Sequence, residues 1–90
     1  MAQVQFTDHL KRFFPELREM SVEASTVAEL VKQLDLRHKG LADYIVDERG
    51  SLRKHVNIFV GSEMVRDRAT LSDPLAPDAK VFILQALSGG

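Results

Sequence analysis

A chain of 90 residues with net charge −1, 44% apolar and 28% charged, has the makeup of one soluble globular domain. So small a domain has little room for a deep catalytic pocket, and near-neutral charge argues against a nucleic-acid or membrane-surface protein. No cysteine is present, which excludes disulfides, thiolate catalysis and cysteine-ligated metal or iron–sulfur sites.

Val4 and Phe6 alternate with Gln3, Gln5 and Thr7, a short strand with one buried face. A polar stretch from Asp8 to Arg12 leads to Phe13-Phe14-Pro15, where Pro15 holds Phe14 extended. A second strand is expected over Arg18–Val22, facing in through Met20 and Val22, so the two strands form a hairpin. Thr26-Val27-Ala28-Glu29 reads as a capping box: the Thr26 hydroxyl accepts the Glu29 N–H and the Glu29 carboxylate returns to the Thr26 N–H. Val27, Leu30, Val31 and Leu34 then form one helical stripe, which Gly40 ends. Leu41–Val46 is expected to be a second short helical turn, and Asp47–Ser51 an exposed turn. Val56, Ile58 and Val60 alternate with Asn57 and Phe59 in a third strand. Gly61-Ser62 turns the chain into a short returning strand over Glu63–Arg66. After the loop through Leu71–Leu75, the run Val81-Phe82-Ile83-Leu84 is apolar at every position, as in a central strand. The order β-β-α-β-β-β, with the first and last strands paired in the middle, is that of a β-grasp.

With this element order, the run Val56-Asn57-Ile58-Phe59-Val60-Gly61-Ser62-Glu63-Met64-Val65-Arg66 and the ending Lys80-Val81-Phe82-Ile83-Leu84-Gln85-Ala86-Leu87-Ser88-Gly89-Gly90 resemble the ThiS/MoaD family of ubiquitin-like sulfur carriers. The wording of Val56–Arg66 is closest to the CysO type, which supplies sulfide for cysteine synthesis. Two features differ from the family pattern: Ala76-Pro77-Asp78-Ala79 replaces its usual acidic-Gly-Asp turn, and the linker before Gly89 lacks proline. The resemblance implies an α+β fold of β-grasp (ubiquitin-like) type, a mixed sheet of four to five strands with one main helix on one face. Residues 1–85 would form the domain and residues 86–90 a flexible C-terminal Gly-Gly tail.

The same resemblance implies the chemistry. An E1-like adenylyltransferase would spend ATP on the Gly90 carboxylate, and the adenylate would become a thiocarboxylate that donates sulfide. Leu87, Ser88 and Gly89 would thread the partner's channel, where residues without Cβ fit closely. Five residues beyond Gln85 reach roughly 16 Å when extended. Further partners implied are a sulfur-acceptor synthase in a cysteine, molybdopterin or thiamin-type pathway, and a metallopeptidase that processes the tail. The carrier itself would be a co-substrate and not an enzyme. With no glycine-rich phosphate loop it is expected to bind no ATP or other cofactor, and with no cysteine the sulfur would sit on the main-chain carboxyl carbon.

Asn57 marks the outer side of its strand, so Phe59, Phe82 and Leu84 are expected to form an exposed apolar docking patch leading into the tail. A one-residue slip would exchange the faces of the last strand, and the segment Thr7–Pro15 is the candidate to cover the patch. His9, His38 and His55 lack metal-ligand spacing, and no metal is expected. Arg53-Lys54-His55 reads as a solvated edge or as a steering site for an acidic partner. Without a signal peptide or an apolar run of about 18 residues, a cytoplasmic protein is expected. Met1 and the terminal glycine are expected to bound a complete mature chain. Two other readings stay open: a protein modifier joined to lysines through Gly90, and a binding module with an idle tail.

Overall fold

The computed structural model describes residues 1–12 and 14–85, all but the side chains of Asp8 and His9. Strand β1 (Ala2–Phe6) follows the expected alternation, with Ala2, Val4 and Phe6 buried and Gln3 and Gln5 exposed. The polar stretch after it is not a plain loop. It holds a helical turn, α1 (Asp8–Lys11), whose Leu10 is fully buried. Strand β2 is shorter than expected, Met20–Val22. Val22 is buried and Met20 half-buried, each on the face of its β1 partner.

The main helix, α2 (Val27–Arg37), buries the expected stripe of Val27, Leu30, Val31 and Leu34. A helix begins with four N–H groups that have no intrahelical acceptor. Here the Val27 N–H reaches the Asp73 carbonyl at 3.0 Å and the Ala28 N–H the Leu71 carbonyl at 2.8 Å. The Glu29 N–H reaches Thr26 Oγ1 at 3.2 Å, and the first bond of the helix itself runs from the Leu30 N–H to the Thr26 carbonyl at 3.0 Å. The return half of the capping box differs from expectation: the Glu29 carboxylate accepts from the N–H and the hydroxyl of Ser25, both at 3.4 Å. α2 ends at Arg37 with His38 as its C-cap, ahead of the expected stop, and Gly40, left-handed at φ 96°, leads into the next helix. One Asp35 oxygen then accepts from the Gly40 and Ala42 N–H groups at 3.0 and 3.1 Å, starting α3 (Leu41–Ile45).

Strand β3 (Val56–Val60) turns at Gly61 into β4, which spans Glu63–Met64 only. The expected strand through Arg66 stops early because Asp73 takes the N–H groups of Arg66 and Asp67, at 3.0 and 2.8 Å. The chain returns as β5 (Lys80–Gln85). The sheet order is β2-β1-β5-β3-β4, with β1 and β5 parallel and every other pair antiparallel. The last strand therefore lies in the middle. Its Val81 and Ile83 join Val4, Phe6, Val56 and Ile58 beneath α2 and α3 in one core. This is the β-grasp architecture: a five-stranded mixed sheet, one main helix on one face, and two shorter helices.

Candidate functional site

Because side chains alternate along a strand, the register of β5 decides what its outer face offers. Phe82 lies opposite Phe59 on one side and Gln5 on the other, and Leu84 lies opposite Asn57. Phe59, Phe82 and Leu84 thus share the face turned away from the helices. Phe82 is 37% exposed, while Phe59 and Leu84 are half-buried against their neighbours. Met64 pairs with Phe59 and is 47% exposed, so it extends the stripe to the sheet edge. Sequence reasoning missed Met64. The signal was the two-residue Gly61-Ser62 turn, which sets the pairing Phe59–Met64 once the hairpin is drawn.

The segment after β1 does not cover this face among its described residues. Leu10 is in the core, and Phe14 packs against the core with its ring edge-on to Tyr44 of α3 at 5.3 Å. Beside the aromatic stripe the surface is polar. Gln5 donates to Glu19 at 3.0 Å, and a depression of about 230 Å³ lies between Gln3, Gln5, Glu19, Lys80 and Phe82.

The stripe runs to Gln85, the last described residue. There the Thr7 N–H donates to the Ile83 carbonyl at 3.2 Å, and the Gln85 N–H donates to Thr7 Oγ1 at 3.3 Å. Gln85 pairs with Val56, and its buried Oε1 has no hydrogen-bond partner among the described residues. Leu87, Ser88, Gly89 and Gly90, the expected threading residues and reactive end, lie outside the described residues.

On the β3 side of Gln85 sits Arg68, a residue with no role in the sequence reading. Its guanidinium donates to Asn57 Oδ1 at 2.8 Å and to the carbonyls of Arg53 and Val56 at 2.9 and 3.1 Å. The loop carrying Arg68 is gathered by Asp67, whose carboxylate accepts from the hydroxyls of Ser72 and Thr70 and from the N–H groups of Ala69, Thr70 and Ser72. Those donors, Ser72 foremost, hold its carboxyl far below the usual carboxylate range. The Arg66 and Asp67 N–H groups lower Asp73 in the same way, against the repulsion of Asp67. Within this loop Leu71 is buried at φ 55°, a left-handed conformation costly for leucine, which places its carbonyl on the Ala28 N–H.

The histidines do not converge. His38 caps α2 through its backbone and His55 is exposed before β3, and among the described residues no group of three His, Cys, Asp or Glu could hold a metal ion. No helix among the described residues is long and apolar enough to cross a membrane.

The fold has close counterparts. The sulfur carrier protein CysO of Mycobacterium tuberculosis, and that of Mycobacterium bovis, is 29% identical over 75 residues, covering 81% of each chain. The crystal structure of M. tuberculosis CysO superposes with a TM-score of 0.84 at 25% identity, over 97% of this chain and all of that one. The CysO-type fold in the BexX/CysO complex of Amycolatopsis orientalis gives 0.85 at 24% identity over the whole of both chains. Small archaeal modifier protein 1 of Methanosarcina acetivorans shares the fold at 0.76 and 21% identity, over 99% of this chain and 95% of that one. The sequence pattern of the ThiS family spans residues 4–90, from β1 through Gly90, and the chain belongs to that family of sulfur carriers.

Proposed function

We propose that Gly90 is the sulfur-bearing end of this carrier. In the first step its carboxylate oxygen attacks the α-phosphorus of ATP on an E1-like adenylyltransferase, forming an acyl adenylate and releasing pyrophosphate. Hydrosulfide then attacks the acyl carbon, the bond to AMP breaks, and AMP leaves with the electron pair. The product is a thiocarboxylate whose sulfur is nucleophilic enough to attack an electrophilic substrate carbon on an acceptor synthase. A cysteine precursor is the favoured acceptor, since the curated relatives are CysO proteins. A metallopeptidase that recognises the tail would free a product left joined to it. ATP belongs to the partner enzyme, and the cytoplasm, where ATP and biosynthetic acceptors occur, is the natural compartment.

The observation that carries this reading is the junction of β5 with the end of the chain. The middle strand of the sheet is described through Gln85, and five residues ending in Gly89-Gly90 follow it in the sequence. β5 is paired on both sides, and the outer face beside it, Phe59, Phe82, Leu84 and Met64, offers apolar area for docking. None of the domain's side chains has to act as acid, base or nucleophile.

The test is intact-mass analysis after incubation with ATP, sulfide and a cognate adenylyltransferase. One oxygen should be exchanged for sulfur, and the gain should vanish when Gly90 is deleted. A ladder of lysine-linked adducts in extract, without thiocarboxylate, would replace this reading with that of a protein modifier. Unmodified protein that still binds its partner without Gly89-Gly90 would make it a binding module.

A further inference from the structure

Arg68 is half-buried, and its three acceptors are all neutral: one amide oxygen and two backbone carbonyls. A guanidinium keeps its charge in proteins and carries five N–H donors, so two remain unused. Charges withdrawn from water are normally met by an opposite charge. Among the described residues no carboxylate pairs with Arg68; the exposed pair Arg66–Glu63, at 3.4 Å, lies by β4. Asp47 feels the charges of Arg49 and Arg53, and its own carboxylate is engaged by the N–H groups of Arg49 and Ser51.

The position of this unmatched charge is specific. Arg68 binds Val56 and Asn57, which are the cross-strand partners of Gln85 and Leu84. The guanidinium therefore stands at the end of β3 that pairs with Gln85, on the β3 edge turned away from β5, about two strand spacings, or roughly 10 Å, from that residue. Arg53 lies next to it, with its Nε donating to the Asp43 carbonyl at 2.7 Å, and Lys54 and His55 are exposed at the start of β3. Arg68, Arg53 and Lys54 thus lie close together at the end of β3 that pairs with Gln85, the last described residue.

We propose that Arg68, with Arg53 and Lys54 around it, receives a carboxylate side chain at the mouth of the enzyme channel that takes up the tail, and so determines which activating enzyme accepts this carrier. This rests on the carrier reading above. The partner is defined by chemistry: an acidic rim, with one Asp or Glu placed to form a bidentate bond to a planar guanidinium. The aromatic stripe supplies apolar contact, and the basic cluster supplies register and encounter rate. The alternative is that Arg68 only ties the 66–72 loop to β3.

The two roles separate in steady-state adenylation, followed by pyrophosphate release from the full-length carrier, ATP and the cognate enzyme at several ionic strengths. R68Q should raise KM about tenfold at low salt and flatten its salt dependence while leaving kcat unchanged. R68K should keep the salt dependence at an intermediate KM, since it retains the charge and loses the fork. R66Q, a nearby exposed cation, should behave as wild type. Lys54→Glu, at an exposed position that folding tolerates, should also raise KM severalfold and covers the case in which R68Q fails to fold. Unchanged KM and salt slope in both R68Q and Lys54→Glu, with a lowered Tm in R68Q alone, would reduce Arg68 to a structural tie and overturn the proposal. Wild-type protein that is not adenylated at all would instead refute the carrier reading, and this one with it.

Discussion

Truncating Phe82 to alanine should weaken docking far more than folding. Phe82 is 37% exposed on the middle strand, so most of its ring already rests on Phe59 and Gln5. A phenylalanine offers roughly 200 Å², which leaves about 75 Å² for a partner to cover. At about 25 cal/mol per Å² this is about 2 kcal/mol, or roughly 25-fold in Kd. The ring does not enter the helix-covered core, which is held by Val81 and Ile83 on the other face. Phe82→Ala should therefore remain folded at 25 °C. Phe82→Asp should bind worse still, because a docked partner would strand an unpaired carboxylate. The assay is titration of the adenylyltransferase with each variant, alongside a thermal melt. A Kd within twofold of wild type for Phe82→Asp, in a folded protein, would show that the outer face is not where the enzyme docks.

Two further outcomes follow from the structure. Thr26→Ala removes the side-chain acceptor for the Glu29 N–H and should cost about 1 kcal/mol. In a domain this size that lowers Tm by about 4–8 °C, and thiocarboxylate formation at 25 °C should be unchanged; an unaltered Tm would mean that the Asp73 and Leu71 carbonyls suffice as caps. Asp47, Asp67 and Asp73 all have carboxyls held below their ordinary range, so each contributes stability that is present above about pH 4 and is lost as pH falls through the folded-state value. Wild type should therefore lose Tm more steeply below pH 4 than Asp67→Asn does, and parallel curves would refute the part assigned to the Asp67 latch.

The sheet was legible because its strands obey parity. Asn57 among Val56, Ile58 and Val60 labels two faces, and that label carries over to Phe82 and Leu84 once β3 and β5 pair. The helix was legible for a similar reason, since Thr26 and the spacing of Val27, Leu30, Val31 and Leu34 are local signals. What escaped was either too short or too distant. A four-residue helix with a single buried leucine, Leu10, leaves no periodicity to detect. The early end of β4 depends on Asp73 reaching back to Arg66 and Asp67, and the Glu29 carboxylate turns to Ser25, one residue before the expected partner. Arg68 belongs to the same class: its acceptors lie on β3 and just before it, and nothing around residue 68 names them.

The placement of β5 also governs when the protein can exist as a folded object. Synthesis produces β1 and β2 first, then β3 and β4, and these hairpins have no direct contact with each other in the sheet order. In the sheet they are joined only through residues 80–85, which pair with β1 on one side and β3 on the other. Such long-range closure is slow relative to local pairing. Its product is a linkage between completeness and display: a chain cut short before residue 80 has no middle to its sheet and falls to proteolysis as an unfolded fragment.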